Sequence, residues 1–136
     1  MSEMTIEAEV QNLEKVIAFV EQNTEELDIP PKTQMQISLA VEEVFVNVAN
    51  YAYAPEKGNV TLNVDVSHDP DKVVITFIDS GIPYNPLEKE DPDVTLPSEE
   101  RKIGGLGIFL TKKVMGEVTY ENKDGNNILK LVKNIG

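Results

Sequence analysis

The sequence contains no cysteine, no tryptophan and a single histidine among its 136 residues. Without cysteine there is no disulfide framework and no thiolate chemistry, which fits a cytoplasmic protein. The lone His68 sits in a turn with no second ligand nearby, so a surface role is expected rather than a metal site. Cations are scarce as well: 12 Lys and Arg stand against 24 Asp and Glu, for a net charge of −12. Direct nucleic-acid binding needs clustered cations to neutralise phosphate, so this balance argues against it. A partner recruited by charge should instead be basic. No apolar run approaches the ~20 residues of a membrane span. Met1-Ser2-Glu3-Met4 lacks the apolar segment of a secretion signal, so none is expected.

What is present in quantity is hydrophobic residue, 40% of the chain, spread along its whole length. That amount suits one globular domain over 1–136 with a modest core. Thr5-Ile6-Glu7 reads as a short strand. Val10, Leu13, Val16, Ile17 and Val20 recur at helical spacing and predict a helix to about Glu26. Asp28-Ile29-Pro30-Pro31 breaks it, and Pro31 suits the first position of a second helix, where its missing N–H costs nothing. That helix is predicted from Lys32 to Tyr53, with Ile37, Val41, Val44, Phe45, Val48 and Ala52 as its buried stripe.

Val60, Leu62, Val64 and Val66 alternate with polar residues, as in a strand with one buried face. A turn over 67–71 leads to Val73–Ile78, apolar on both faces as in a central strand. From 86 to 103 the periodicity vanishes among prolines and acids, which predicts a loop long enough to be a functional lid. Gly104-Gly105-Leu106-Gly107 then opens a helix ending near Met115. Strands over 117–122 and 127–134 close the chain as a hairpin around Lys123-Asp124-Gly125-Asn126. Grouped helices with runs of adjacent strands predict an α+β two-layer sandwich, its mixed, mainly antiparallel sheet covered by helices on one face.

Three separated segments carry candidate chemistry. Glu43 and Asn47 lie one helical turn apart on one face, an arrangement suited to a hard cation or to a general base beside a hydroxyl; a solvated helix face has the same pattern. Asp79-Ser80-Gly81 follows a buried strand. There a carboxylate can accept a hydrogen bond from an adenine amino group while Gly81 admits a ligand close to the backbone; an ordinary Asp-Ser-Gly turn has the same residues. Gly104, Gly105, Leu106 and Gly107 at a helix start offer backbone N–H groups to an anion, with Arg101 and Lys102 just upstream. No P-loop pattern occurs anywhere.

Taken together and in order, these segments resemble the GHKL ATPases in the version found in anti-sigma-factor serine kinases. Glu43-Val44-Phe45-Val46-Asn47 with Tyr51-Ala52-Tyr53 is similar to the family's N-box. Asp79-Ser80-Gly81-Ile82-Pro83-Tyr84-Asn85-Pro86 resembles its D-x-G-x-P-[FY]-[DN]-P box, and Gly104–Leu110 its second glycine box. The resemblance implies a Bergerat ATP-binding fold with ATP and Mg²⁺ as cofactors and a lid over about 87–103. It implies that Asn47 holds Mg²⁺, that Asp79 meets the adenine, that Gly81 makes room for the base and that Gly105 and Gly107 sit at the phosphates. Glu43 is implied as the base for a serine hydroxyl. Asn127 falls near the position where many relatives carry a threonine beside the adenine. The implied partners are a sigma factor and an anti-anti-sigma antagonist of the STAS type, the implied assembly a homodimer and the implied activity protein serine kinase. A non-enzymatic module whose lid is ordered by ATP into a partner surface is the alternative.

Overall fold

The computed structural model describes residues 2–52, 58–68, 70–82 and 115–135, with the side chains of 51 and 52 excepted. The predicted lid, the glycine turn with its helix and Tyr53 lie outside the described residues.

β1 (Ser2–Glu7) leads through a 3₁₀ turn into α1 (Leu13–Gln22). This helix is shorter than the periodicity predicts, and the side chains at its end explain why. Asn23 Nδ2 donates to the Phe19 carbonyl at 2.8 Å and Thr24 Oγ1 to the Val20 carbonyl at 2.9 Å. These groups satisfy carbonyls that the next helical turn would otherwise use. A 3₁₀ turn at Glu25–Leu27 follows, and Asp28 in the left-handed region (φ 49) redirects the chain.

α2 (Pro31–Asn47) begins with Pro31 at its first position after an extended Pro30. The apolar spacing predicts a regular helix as far as Tyr53. Instead it widens into a π-helical turn at Val48–Ala52. Asn47 is the local competitor, because its Nδ2 donates to the Glu43 carbonyl four residues back at 3.0 Å. That carbonyl is also the acceptor an ordinary α-turn assigns to the Asn47 backbone N–H, and such sharing bends helices.

β2 (Asn59–Ser67), β3 (Lys72–Asp79), β4 (Glu117–Lys123) and β5 (Asn126–Asn134) join β1 in one five-stranded sheet, ordered β1-β2-β3-β5-β4. Every pairing in it is antiparallel. β4 and β5 meet at a two-residue turn, Asp124 (φ 53) and Gly125 (φ 81). Positive φ at both positions matches the right-handed twist of the flanking strands. Before β4, the Gly116 N–H donates to the Val132 carbonyl at 2.9 Å.

The core lies between the helices and one face of the sheet. Val16 and Val20 from α1 and Ile37, Val41, Val44 and Phe45 from α2 are buried with Val60, Leu62, Val73, Ile75, Phe77 and Leu131. Val66, expected in the core, is only half-buried near the end of β2. β3 occupies the middle of the sheet, as its double apolar pattern predicts. Its second face, Val74, Thr76 and Ile78, is half-buried beside Val132, Lys130 and Ile128 of β5.

Candidate functional site

The register shows where the core becomes polar. Leu62, Phe77, Leu129 and Tyr120 stand side by side across β2, β3, β5 and β4. One step further toward the end of β3, the corresponding inward row is Val60, Asp79, Asn127 and Asn122. Asp79 is 7% exposed and Asn127 5%. Polar groups so buried need partners, and these are each other's. Asn127 Nδ2 donates to Asp79 Oδ1 at 2.9 Å.

Asp79 Oδ1 also accepts the Gly81 N–H at 2.9 Å, a local turn in which an Asp side chain caps its own chain two residues on. Both internal donors therefore reach one oxygen. Asp79 Oδ2 makes no hydrogen bond with another described residue. An ionised carboxylate only accepts, so the open position at this strand end suits a ligand group that donates.

Asn127 is engaged on every side. Its second amide hydrogen goes to the Ile82 carbonyl at 3.0 Å. Its Oδ1 accepts from Asn122 Nδ2 at 3.1 Å and from the Tyr120 hydroxyl. Tyr120 and Asn122 belong to none of the motifs that mark the site in the sequence, although a signal is there. Counting outward from the Asp124-Gly125 turn puts Asn122 opposite Asn127, with Tyr120 two residues back on the same face.

On α2, Glu43 and Asn47 are both half-buried and do project together. Besides its backbone bond, Asn47 Nδ2 approaches Glu43 Oε1 at 3.4 Å. The carboxamide orientation follows from these acceptors, since turning it over would set its oxygen against two oxygens. Asn47 Oδ1 is thereby left facing away from Glu43, an oxygen donor of the kind hard cations take. Burial lifts the Glu43 carboxyl above its ordinary value of 4.5, the Asn47 hydrogen bond works against that rise, and the charge of Glu42 adds to it. A half-buried carboxyl of raised basicity is suited to receiving a proton.

Of the predicted site residues, Glu43 and Asn47 are thus brought together on one helix turn, and Asp79 and Gly81 at one strand end. Arg101, Lys102, Gly104, Gly105, Leu106 and Gly107 lie outside the described residues. His68 is at the surface, as expected, but it is not isolated: its ring nitrogens face Glu26 Oε2 at 3.2 Å and Asp71 Oδ1 at 3.3 Å. Among the described residues no helix is long and apolar enough to cross a membrane.

Comparison with known proteins agrees with this architecture. Residues 6–133 match a family profile described as a histidine kinase-like ATPase domain. The chain is 22% identical over 100 residues to the serine/threonine-protein kinase BtrW of Bordetella bronchiseptica, covering 74% of this chain and 70% of that one. It is 25% identical over 97 residues to the serine-protein kinase RsbW of Bacillus mycoides, covering 68% of this chain and 59% of that relative. The match to RsbW thus spans less than two thirds of its length. Among solved structures, the RsbU and RsbW domains of a Mycobacterium tuberculosis protein superpose with a TM-score of 0.66 at 16% identity, covering 98% of this chain and 32% of that one. The SiaB-SiaC complex of Pseudomonas aeruginosa gives 0.58 at 14% identity, covering 97% and 89%. At such identities the structural likeness is a likeness of fold.

Proposed function

The chain belongs to the histidine kinase-like ATPase domain family, and from that premise we propose that it is an ATP-dependent protein serine kinase of the anti-sigma-factor type. Its substrate is an anti-anti-sigma antagonist protein, its second partner is a sigma factor held in an inactive complex, and it works as a homodimer. The adenine amino group donates a hydrogen bond to Asp79 beside Gly81. Asn47 supplies an oxygen ligand to Mg²⁺, and Gly104, Leu106 and the glycines at 105 and 107 meet the phosphates, with Arg101 and Lys102 near them. When bound, the metal ion neutralises charge on the phosphate oxygens.

The protein's own part in the transfer is positioning and proton acceptance. A serine hydroxyl of the antagonist attacks the γ-phosphorus, the bond to the β,γ-bridging oxygen breaks, ADP leaves and Glu43 takes the hydroxyl proton. The observation that carries this reading is the Glu43–Asn47 turn. One side chain there has its amide committed and its oxygen left over, beside a carboxyl whose affinity for a proton is raised. The names of the relatives BtrW and RsbW, both kinases acting on serine, support the same activity.

The test is incubation of the purified protein with Mg-ATP and candidate anti-anti-sigma antagonist proteins from the same cell, followed by mass spectrometry. Phosphoserine on the antagonist, lost in Glu43→Gln, is expected. Undiminished transfer by Glu43→Gln would remove Glu43 as the base. ATP-dependent complex formation without phosphoserine would favour the non-enzymatic binding module instead.

A further inference from the structure

We propose that Tyr120 and Asn122 are positioning residues that set the base selectivity of the nucleotide site, acting through Asn127 on Asp79. The inference rests on the reading that Asp79 receives the base.

A carboxamide can be seated in either of two orientations. Asn127 is buried at the centre of a polar row, and its two ends are nearly the same size. Turned one way it offers a hydrogen to Asp79 and another to the Ile82 carbonyl, and turned the other it sets an oxygen against a carboxylate oxygen. Two donors remove the choice. The Tyr120 hydroxyl and Asn122 Nδ2 both point at the Asn127 oxygen, so the NH₂ end must face β3.

That end then does two things at once. One hydrogen holds Asp79 Oδ1 and the other holds the Ile82 carbonyl, fixing both the carboxylate and the chain that leaves it. With Oδ1 taken by Asn127 and Gly81, only Oδ2 remains for a ligand, and its character as an acceptor is set. A purine with a 6-amino group donates to it. A purine with a 6-oxo group presents an acceptor and is repelled. Selectivity between the two is therefore decided in part on β4, by side chains that touch no nucleotide.

The test uses the full chain and two ligands that differ at the purine 6-position, ADP and inosine diphosphate. Titration calorimetry gives both affinities for the wild type, Tyr120→Phe, Asn122→Ala and the double variant, with thermal melts of each. The wild type should prefer ADP. The double variant should lose about three- to tenfold in the ADP-to-IDP preference, the size of one hydrogen bond, while each single variant loses less because one donor still orients the amide. A merely structural role would weaken both ligands together and leave their ratio where it was. ADP binding with an unchanged ratio overturns this inference alone, as does a wild type that binds the two ligands equally. Failure of the wild type to bind ADP overturns the nucleotide reading and this inference with it.

Discussion

Asp79→Asn is a one-atom substitution whose consequences follow from which oxygen the protein already uses. Both internal donors, the Gly81 N–H and Asn127 Nδ2, sit 2.9 Å from Oδ1. An asparagine at 79 keeps those bonds only if its oxygen stays there, so its NH₂ must replace Oδ2. The fold should survive. Two charge-assisted bonds of about 1.5–3 kcal/mol each become neutral ones of roughly half the strength, a loss of about 1.5–3 kcal/mol in all, which lowers Tm by about 5–10 °C in a domain of this size. The ligand side changes sign. A hydrogen bond to a charged acceptor, worth about 1.5–3 kcal/mol, is replaced by two donors facing each other, so ADP affinity should fall roughly 10- to 150-fold. Inosine diphosphate, with an acceptor at the same position, should bind the variant better than the wild type. Calorimetric titration of both proteins with both nucleotides, beside thermal melts, measures all of this. A variant that folds cooperatively yet binds ADP unchanged would refute the assignment of Oδ2 to the base. A collapse of the fold would refute the argument from Oδ1.

Two further predictions concern pH. Glu43 is raised above 4.5 chiefly by burial, so serine transfer should decline as pH falls through a value higher than an ordinary carboxyl would give, and in the protein free of nucleotide and metal Asn47→Ala, which removes the opposing hydrogen bond, should raise the midpoint of the Glu43 carboxyl followed by NMR. The same raised carboxyl favours the folded state at pH below the unfolded value, and that contribution disappears as pH rises through the folded one. His68 is raised above 6.5 by its hydrogen bonds to Glu26 and then Asp71. Its contribution to stability is therefore complete below 6.5 and lost as pH rises through the raised value. As the chain's single histidine it gives one imidazole signal by NMR, whose midpoint should drop in Glu26→Gln; an unchanged midpoint would dismiss that contact.

Features governed by local rules are legible in the sequence. The alternation from Val60 to Val64, the Pro31 start of α2 and the Asp124-Gly125 turn each express a backbone preference within a few residues, and each stands where expected. Helix ends are less legible. Asn23, Thr24 and Asn47 turn their side chains back onto the helix, and nothing in the apolar spacing of α1 or α2 registers a side chain that competes with the backbone. The candidate site divides in the same way. Glu43 with Asn47, and Asp79 with Gly81, are neighbours along the chain, so their spacing shows in the sequence. The bond between Asp79 and Asn127 joins residues 48 positions apart and exists only because β5 lies next to β3. Strand order is a property of the whole sheet, and the periodicity of single strands does not contain it.

The bond from Asn127 to the Ile82 carbonyl has a partner in purpose at the other end of β5, where Gly116 is fastened to Val132. Residues 83–114 leave the described framework at the first of these ties and return to it at the second. From Asn127 to Val132 is five residues of strand, roughly 17 Å at ~3.4 Å per residue. Both gateposts of that segment are thus set in a single strand whose spacing the sheet holds constant. The sheet thus fixes where residues 83–114 begin and end, and the strand that sets both posts is the one whose Asn127 also holds Asp79.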